Sequence, residues 1–374
     1  MSDSNHSALT ARAGEGIRSL APYQPGKPIE ELQRELGIDN VIKLASNENP
    51  LGPGNAALQG AKAALGDMAR YPDGSGFRLK AALAEYHGCP PQCITLGNGS
   101  NEVLEFVARV FAGPGDEIVF AEHCFIVYPL AALAVGAVGV KVPARDFGHD
   151  LEAMARAVTS RTRVVFIANP NNPTGTWADE AALSQLLAAV PADCMVVVDE
   201  AYFEYVDREG YPDASRLMAR YPNLMVTRTF SKVHGLAAMR IGYALTSPDV
   251  ADLLNRVRMP FNVNEPSMAA AEAALGDSAH VAASIAANNA GMAQLEDGFR
   301  LLGLDFIPSI ANFITFDCST PAGPVFDALL REGVIVRPIG GYGLPNHLRV
   351  TIGTEAENSR FLAASARVLA DNIR

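Results

Sequence analysis

Short apolar runs separated by helix-like segments fill the middle of this 374-residue chain. "CITLGN" is followed by "SNEVLEFVARVFA", "DEIVFAE" by "YPLAALAVG" and "RVVFIANP" by "TWADEAALSQLLAAV", and the series continues with "CMVVVDEAY" and "LMVTRTF". Apolar runs of about four to six residues, bounded by turn residues, are typical of strands that are buried on both faces. Because helical segments separate the runs, the pattern predicts an α/β fold with a mostly parallel sheet covered by helices on both faces.

A change in the residue pattern near residue 262 suggests two domains and an N-terminal arm. Residues 41–262 carry the series of strands and helices and are expected to form a large domain. After "RMPFNVNEP" an alanine-rich stretch predicts one long connecting helix, which is followed by the strand-like "FITFD", "GVIVRPI" and "HLRVTIGT". We therefore expect a smaller α+β domain over residues 263–374. Residues 1–40 would form the arm, with about the first fifteen residues mobile.

Composition and charge exclude several classes of protein. Apolar residues make up 49% of the chain and charged residues 19%, which is typical of a globular protein with a large core. A formal charge of −11, without clusters of Lys and Arg, argues against nucleic acids and anionic membranes as partners. The chain begins without an apolar signal region and has no apolar run long enough to span a membrane, so we expect a cytoplasmic protein.

The five cysteines are scattered and odd in number, which indicates reduced thiols and not a disulfide framework. His87, Cys89 and Cys93 in "HGCPPQC" have the spacing of half a zinc site, but no second Cys/His pair with ligand spacing follows. We therefore expect a turn with incidental thiols at this position, and no metal in the protein.

Polar residues follow the predicted strands at the edge where parallel sheets bind ligands. After the first run, "GNGSNE" places Gly97 and Gly99 in a tight turn and Ser100 or Asn101 at the start of a helix. The free N–H groups and the dipole of that helix favour a phosphate. Glu102 stands where a dinucleotide-binding fingerprint needs its third glycine, and a capped helix start without a ligand explains the stretch equally well.

Two further strand ends carry amide and carboxylate groups. In "ANPNNPTG" Asn172 can donate to an anionic oxygen, although a turn with self-bonding asparagines explains the loop equally well. In "MVVVDEAY" Asp199 resembles the magnesium ligand of nucleotide hydrolases, but the chain has no G-x-x-x-x-G-K-[ST] loop. The alternative is a carboxylate that keeps a ligand's ring nitrogen protonated, with Tyr202 three residues further on. A buried carboxylate requires such a cationic partner.

The segment "TFSKVHGLAAMR" places two isolated cations after another strand, next to the hydroxyls of Thr229 and Ser231. Lys232 in a poorly solvated pocket would have a lowered pKa and become a nucleophile. The planar guanidinium of Arg240 matches phosphate oxygens. Taken alone, the segment favours a solvated loop lysine. Four such polar strand ends in one sheet favour a ligand site instead.

The ordered set "ANPNNPTG", "VVVDEAY", "TFSK" with an arginine eight residues later, and "LRVTIGT" resembles the pyridoxal-phosphate-dependent aminotransferases of fold type I. "LASNENPLGP", "RYPDGSGFRLKAALAEYHG", "RMPFNVN" and "GVIVRPIGGYGLP" are similar specifically to the histidinol-phosphate aminotransferase subfamily. The similarity runs from about Ser19 to Asn358. It implies the fold-type-I architecture and the cofactor pyridoxal 5′-phosphate. It also implies transfer of an amino group between L-histidinol phosphate and 2-oxoglutarate in histidine biosynthesis.

The resemblance implies a role for each matching residue. Lys232 would bind the cofactor covalently and move the Cα proton of the substrate, while Asp199 would pair with the protonated pyridine nitrogen. Asn172 and Tyr202 would bond the phenolic oxygen of the cofactor, and Phe125 would stack on its ring. The residues implied to bind the cofactor phosphate are Gly99, Ser100, Asn101, Thr229, Ser231 and Arg240.

The resemblance also implies how substrates and a second subunit are bound. Arg349 would bind the carboxylate of glutamate and, helped by Arg337, Tyr23 and Asn47, the phosphate of histidinol phosphate. Tyr71 would reach the cofactor phosphate of the other subunit, which implies a homodimer. Related enzymes act on aromatic amino acids, and a threonine-phosphate decarboxylase shares much of the pattern, so both stay alternatives. A catalytically idle cofactor-binding or regulatory protein is disfavoured, because every expected catalytic position is filled.

Overall fold

The computed structural model describes residues 9–22 and 26–372, with side chains as far as residue 369. The strands are β1 (Ile42–Lys43), β2 (Ile94–Gly97), β3 (Glu117–Ala121), β4 (Val138–Val142), β5 (Thr162–Ala168), β6 (Met195–Asp199), β7 (Leu224–Thr229), β8 (Gly242–Leu245), β9 (Phe306–Ile307), β10 (Phe313–Asp317), β11 (Val334–Ile335), β12 (Arg337–Pro338) and β13 (His347–Thr351). The helices are α1 (Glu15–Ser19), α2 (Ile29–Leu36), α3 (Asn55–Ala64), α4 (Phe77–His87), α5 (Ser100–Phe111), α6 (Val127–Ala134), α7 (Leu151–Ala157), α8 (Glu180–Ala189), α9 (Pro248–Val257), α10 (Glu265–Leu275), α11 (Ser278–Leu302), α12 (Ala322–Arg331) and α13 (Glu355–Asn372). Of the N-terminal residues expected to be mobile, 1–8 lie outside the described residues.

Strands β2 to β8 form one seven-stranded sheet in the order β2-β8-β7-β6-β5-β3-β4. The pairs β3–β4, β3–β5, β5–β6 and β6–β7 are parallel, whereas β8 is antiparallel to both β2 and β7. Because only β8 is reversed, the carboxyl ends of the other six strands lie at the same edge of the sheet. The predicted α/β fold with a mostly parallel sheet is confirmed.

The central strands are buried on both faces, which is why they are continuous apolar runs in the sequence. On β5, Val165 and Ile167 pack into one core with residues of α3, α4, α7, α8 and α10. Val164 and Phe166 point to the opposite face and pack with residues of α5, α6 and α9. Helices therefore hold the sheet from both sides and leave its carboxyl edge open for a site.

A second, four-stranded antiparallel sheet has the order β12-β13-β10-β9, and the short β1 pairs with β11 in parallel. Its core includes Leu295 of α11, Leu329 of α12 and Phe361 of α13. The strands predicted from "FITFD", "GVIVRPI" and "HLRVTIGT" are all present. Helix α10, by contrast, packs against α3 and α4 and contributes Met268 to the core of the large sheet. The division at residue 262 stays a prediction.

The prediction of one long alanine-rich helix after residue 262 is wrong, because the segment forms two helices, α10 and α11. Gly276 follows α10, and the carboxylate of Asp277 accepts a hydrogen bond from the His280 backbone N–H, which caps the start of α11. A capping aspartate after a glycine outweighs the helix propensity of the flanking alanines. Neither α11 nor any other helix within residues 9–22 and 26–372 is long and apolar enough to cross a membrane.

A buried ion cluster joins the ends of β6 and β7. Arg228 on β7 is only 2% exposed, and its Nε and Nη2 donate to Glu200 Oε2 at 3.0 and 2.8 Å. Its Nη2 also donates to Asp213 Oδ1 at 2.8 Å, and its Cζ lies 3.5 Å from the ring centroid of Phe203. Burial raises the pKa of Glu200 to about 7, an effect that Arg228 opposes. The cluster fixes the strand ends that precede the polar residues of the site.

Replacing Arg228 with methionine is expected to lower the free energy of unfolding by about 3–5 kcal/mol, because Glu200 is left as a buried carboxylate without its cation. Urea unfolding of the wild type and the variant measures this difference. The exposed Arg208 offers a matched control, since Arg208→Met should change stability by less than about 0.5 kcal/mol. Equal losses in the two variants would show that the cluster does not stabilise the strand ends.

Candidate active site

A cavity of about 300 Å³ lies at the carboxyl edge of the large sheet. Its walls come from segments that follow β1, β2, β3, β5, β6 and β7, and from strands β12 and β13. The predicted site residues that line it are Asn47, Ser100, Asn101, Phe125, Asn172, Asp199, Tyr202, Thr229, Ser231, Lys232, Arg240, Arg337 and Arg349. The fold therefore brings most of the predicted site into one place.

Lys232 follows β7, and its Nζ donates a hydrogen bond to the Ser46 carbonyl oxygen at 3.3 Å. Burial lowers the pKa of this lysine to about 7, and the positive charges of Arg349 and Arg240 lower it further, while Glu48 and Asp199 oppose the shift. At neutral pH a large share of the amine is therefore neutral. A neutral amine in a partly buried site can attack a carbonyl carbon.

Asp199 is the last residue of β6 and is only 5% exposed. Its Oδ1 accepts a hydrogen bond from the Thr227 hydroxyl at 2.9 Å, and its Oδ2 accepts one from the Tyr128 hydroxyl at 3.0 Å. Burial raises the pKa of Asp199 to about 6, whereas these two bonds and the charge of Lys232 lower it. The carboxylate is thus buried but held by two donors, as a group that pairs with a ligand cation requires.

A cradle for an anion lies where α5 begins. Gly99 has a φ of +79°, and a Cβ at this position would lie 2.4 Å from Arg240 Nη2. Helix α5 starts at Ser100 without a side-chain cap, so its first N–H groups are available to a ligand. The hydroxyl of Thr229 donates to the Ser231 hydroxyl at 3.0 Å, and Arg240 Nη1 lies 3.4 Å from the same oxygen. Helix dipole, hydroxyls and guanidinium together suit a phosphate.

Asn47 connects Tyr202 to the second sheet. Its Nδ2 donates to the Tyr202 hydroxyl at 2.8 Å, and its backbone N–H donates to the Thr351 hydroxyl at 2.9 Å. Asn312 Nδ2 donates to the Asn47 carbonyl oxygen at 2.9 Å, and these bonds hold Asn47 at a φ of +56°. Because its amide donates to Tyr202, Asn47 orients that hydroxyl. The expected role of Asn47 in binding substrate stays a prediction.

Arg349 and Arg337 bring two guanidinium groups to the second-sheet side of the cavity. The two residues are direct partners in the antiparallel pairing of β12 and β13, and both line the cavity. Arg349 is 6% exposed; its Nη1 donates to Asn172 Oδ1 at 2.5 Å and its Nη2 to the Ala45 carbonyl oxygen at 2.7 Å. These bonds aim its planar group, which can then bind a carboxylate or a phosphate.

The predictions for Phe125, Tyr71 and Tyr23 have different outcomes. Phe125 lines the cavity and packs edge-to-face on Tyr128, with centroids 5.9 Å apart. Tyr71 is 82% exposed, is not among the residues that line the cavity, and stacks on Phe261 with centroids 4.7 Å apart. Tyr23 lies outside the described residues.

Four polar residues of the site were not predicted as site residues, namely Glu48, Tyr128, Thr227 and Tyr342, although Glu48 and Tyr342 lie inside motifs that carry the resemblance. Glu48 and Tyr342 line the cavity, whereas Tyr128 and Thr227 act on Asp199 from behind it. Glu48 directly follows the predicted site residue Asn47, and this position in the sequence could have indicated it. Thr227 faces Asp199 only because β6 and β7 are adjacent in register, which no local pattern reveals.

The sequence model of aminotransferase class I and II matches residues 39–364. The chain belongs to this family of aminotransferases. The resemblance to aminotransferases inferred from the ordered motifs is thereby confirmed.

Relatives match this aminotransferase over nearly its whole length. It is 56% identical to histidinol-phosphate aminotransferase 1 of Nitrosococcus oceani, over 96% of both chains. It is 57% identical to histidinol-phosphate aminotransferase 2 of Pseudomonas aeruginosa, over 97% of this chain and 99% of the relative. In structure it is similar to the histidinol-phosphate aminotransferase of Sinorhizobium meliloti in complex with pyridoxal 5′-phosphate. The TM-score is 0.89 at 30% identity, and the match covers 97% of this chain and 98% of the other. The fold-type-I architecture is confirmed.

Proposed function

We propose that this aminotransferase transfers an amino group reversibly between L-histidinol phosphate and 2-oxoglutarate, with pyridoxal 5′-phosphate as cofactor, in the biosynthesis of histidine. One observation carries the proposal: a lysine with a lowered pKa shares a cavity with a buried carboxylate, an anion cradle and a pair of arginines. The histidinol-phosphate aminotransferases that are 56% and 57% identical to it support the same substrate.

The polar groups of the cavity fit a phosphorylated pyridine aldehyde. Asp199 is buried among uncharged hydroxyl donors, so a protonated ring nitrogen would provide the cation that its burial requires. The cradle formed by Gly99, Ser100 and Arg240 suits the phosphate group. Lys232 supplies the amine for the aldehyde carbon. We propose that Asn101, Thr229 and Ser231, which also line the cavity, complete the phosphate site.

When bound, pyridoxal 5′-phosphate takes up the amino group and delocalises the electron pair left on the substrate Cα after deprotonation. Lys232 would hold the cofactor through its Nζ, and the same amine would take the proton from the substrate Cα. Asp199 would keep the ring nitrogen protonated. Tyr202 and Asn172 would bind the phenolic oxygen, and Phe125 would stack on the ring. The chain thereby provides the base, the orientation and the charge that the reaction needs.

Arg349 and Arg337 are proposed to bind the anionic group of either substrate, the phosphate of histidinol phosphate or a carboxylate of glutamate. Three arginines that line the cavity, Arg240, Arg337 and Arg349, outnumber its two carboxylates, Glu48 and Asp199, even where Lys232 is neutral. The cavity is therefore positive although the chain carries a formal charge of −11. Local cations explain how an acidic protein binds anionic substrates.

We propose further that the enzyme is a homodimer in which Tyr71 of one subunit reaches the cofactor phosphate of the other. Tyr71 is 82% exposed and is held in place by its stack on Phe261. Met68, Phe77 and Met259, from the same two segments, are also exposed, and exposed apolar side chains in one region are typical of a subunit interface. A monomer in sedimentation equilibrium at assay concentrations would contradict the dimer.

The substrate is tested by comparing kcat/KM for histidinol phosphate, phenylalanine and tyrosine with 2-oxoglutarate as the acceptor. Histidinol phosphate is expected to exceed each aromatic amino acid by tenfold or more, which is about 1.4 kcal/mol of transition-state preference. Dephosphorylated histidinol is the matched control, because it differs from the substrate only in the group that the arginines are proposed to bind. A tenfold preference for an aromatic amino acid would instead establish that alternative, and release of CO₂ from threonine phosphate would establish a decarboxylase.

A further inference from the structure

Tyr128 contacts two groups that face the cofactor in the proposed function, although it is not among the residues that line the cavity. It lies in the first turn of α6 and is completely buried. Its ring stacks on Phe166 of β5, with centroids 4.7 Å apart and planes at 7°, and meets the ring of Phe125 edge-to-face. Because the ring is packed on both Phe166 and Phe125, the direction of the hydroxyl is fixed. That hydroxyl lies 3.0 Å from Asp199 Oδ2.

We propose that Tyr128 is a positioning residue of this aminotransferase, whose hydroxyl holds the Asp199 carboxylate charged and correctly oriented while its ring supports Phe125. The inference rests on the role of Asp199 in the proposed function. An ionised carboxylate can only accept hydrogen bonds, so the tyrosine is the donor. Thr227 on β7 donates to the other oxygen. With donors from two different elements, the carboxylate cannot rotate without losing a bond.

The charge of Asp199 depends on these donors because the site is buried. Burial favours the neutral acid and raises the pKa of Asp199 to about 6, while the Thr227 and Tyr128 bonds and the charge of Lys232 favour the carboxylate. The other titratable groups that face Asp199 or Tyr128 are Tyr202 after β6 and Cys124 after β3. A protonated Asp199 could not stabilise a proton on the ring nitrogen, so activity should fall once the pH is low enough to protonate Asp199 in the enzyme with its cofactor.

The test is Tyr128→Phe, which removes the hydroxyl and keeps the ring contacts. Losing a donor to the carboxylate raises the pKa of Asp199, so the acidic limb of the kcat/KM–pH profile should move upward by about one pH unit. Equilibrium titration of the apoenzyme with pyridoxal 5′-phosphate gives a second readout that does not depend on turnover. Its affinity should fall roughly threefold at a pH midway between the wild-type and variant limbs.

Tyr243→Phe is the matched control. Tyr243 is also buried, at 3% exposure, and its hydroxyl lies 2.9 Å from His87 Nε2 instead of bonding Asp199. This variant loses a comparable buried hydrogen bond, so it should lower stability and leave the acidic limb in place. If Tyr243→Phe and Tyr128→Phe move the limb equally, or if neither moves it, the positioning role is refuted.

A double-mutant cycle with Asp199→Asn separates this inference from the function on which it rests. In the Asp199→Asn background there is no carboxylate to keep charged, so Tyr128→Phe should no longer weaken cofactor binding. An unchanged effect of Tyr128→Phe in that background would overturn the inference, because Tyr128 would then act through the fold alone. If Asp199→Asn by itself leaves cofactor affinity and turnover at wild-type values, the proposed role of Asp199 fails instead.

Discussion

Lys232→Ala is expected to abolish transamination, with kcat at least about 10,000-fold below the wild type, because the chain loses both its covalent attachment point and the base for the Cα proton. Steady-state assays with histidinol phosphate and 2-oxoglutarate measure the loss. Borohydride treatment provides a direct readout of attachment, since it should fix the cofactor to the wild-type chain and not to the variant. Lys141→Ala is the matched control, because Lys141 is exposed on strand β4.

Lys232→Arg distinguishes nucleophilicity from charge at the same position. Arginine keeps a positive charge in the cavity but cannot lose its proton in the working pH range. The wild-type lysine can lose its proton in this range, because burial lowers its pKa to about 7. Lys232→Arg should therefore be as inactive as Lys232→Ala. If either variant continues to transaminate, Lys232 is not the base, and the assignment of the cavity as the catalytic site is wrong.

Arg349→Ala is expected to lower kcat/KM roughly 100-fold for histidinol phosphate and for glutamate alike, since a buried guanidinium bound to an anion contributes several kcal/mol to binding. Arg349 is buried and faces Arg337 across the β12–β13 pairing. Among the described residues, these two form the only cross-strand pair of arginines in the cavity. Separate half-reaction assays with each amino donor measure the two losses.

Two further variants make the Arg349 result specific. Arg349→Lys keeps the charge but loses the planar, bidentate group, so it should recover only part of the activity. Arg331→Ala, at an exposed position at the end of α12, should leave both values of kcat/KM unchanged. Because Arg349 also bonds Asn172 and the Ala45 carbonyl oxygen, thermal unfolding must be compared as well. A loss with only one of the two substrates would disprove a shared anion site.

Most of the large sheet could be predicted from the sequence, and the exceptions have a physical cause. Strands β3, β5, β6 and β7 coincide with apolar runs because they are buried on both faces. Strand β4 escapes this pattern because it lies at the edge of the sheet and most of its residues are partly exposed. The antiparallel β8, "GYAL", begins with a glycine and contains an alanine, two residues that are depleted in strands, although it lies between β2 and β7.

The residues that carry the chemistry could be identified from residue type and local order. Lys232 and Arg240 are charged residues among apolar or small neighbours, and Asp199 ends an apolar run. Their positions at or after the end of a strand place them at the sheet edge where ligands bind. Such information is local, since it depends only on a residue, its neighbours and the strand that precedes them. The three side chains proposed as the covalent attachment point, the ring-nitrogen partner and the phosphate anchor could therefore be singled out from the sequence, whereas their roles stay predictions.

The surroundings that tune those residues were decided only by the tertiary structure. Thr227 and Tyr128 lie 28 and 71 residues from Asp199 in the chain, yet both donate to its carboxylate. Likewise, Arg337 faces Arg349 only through the register of β12 and β13. Strand order, register and helix placement result from the burial of apolar surface by residues distant in sequence, so no local pattern specifies which side chains will meet.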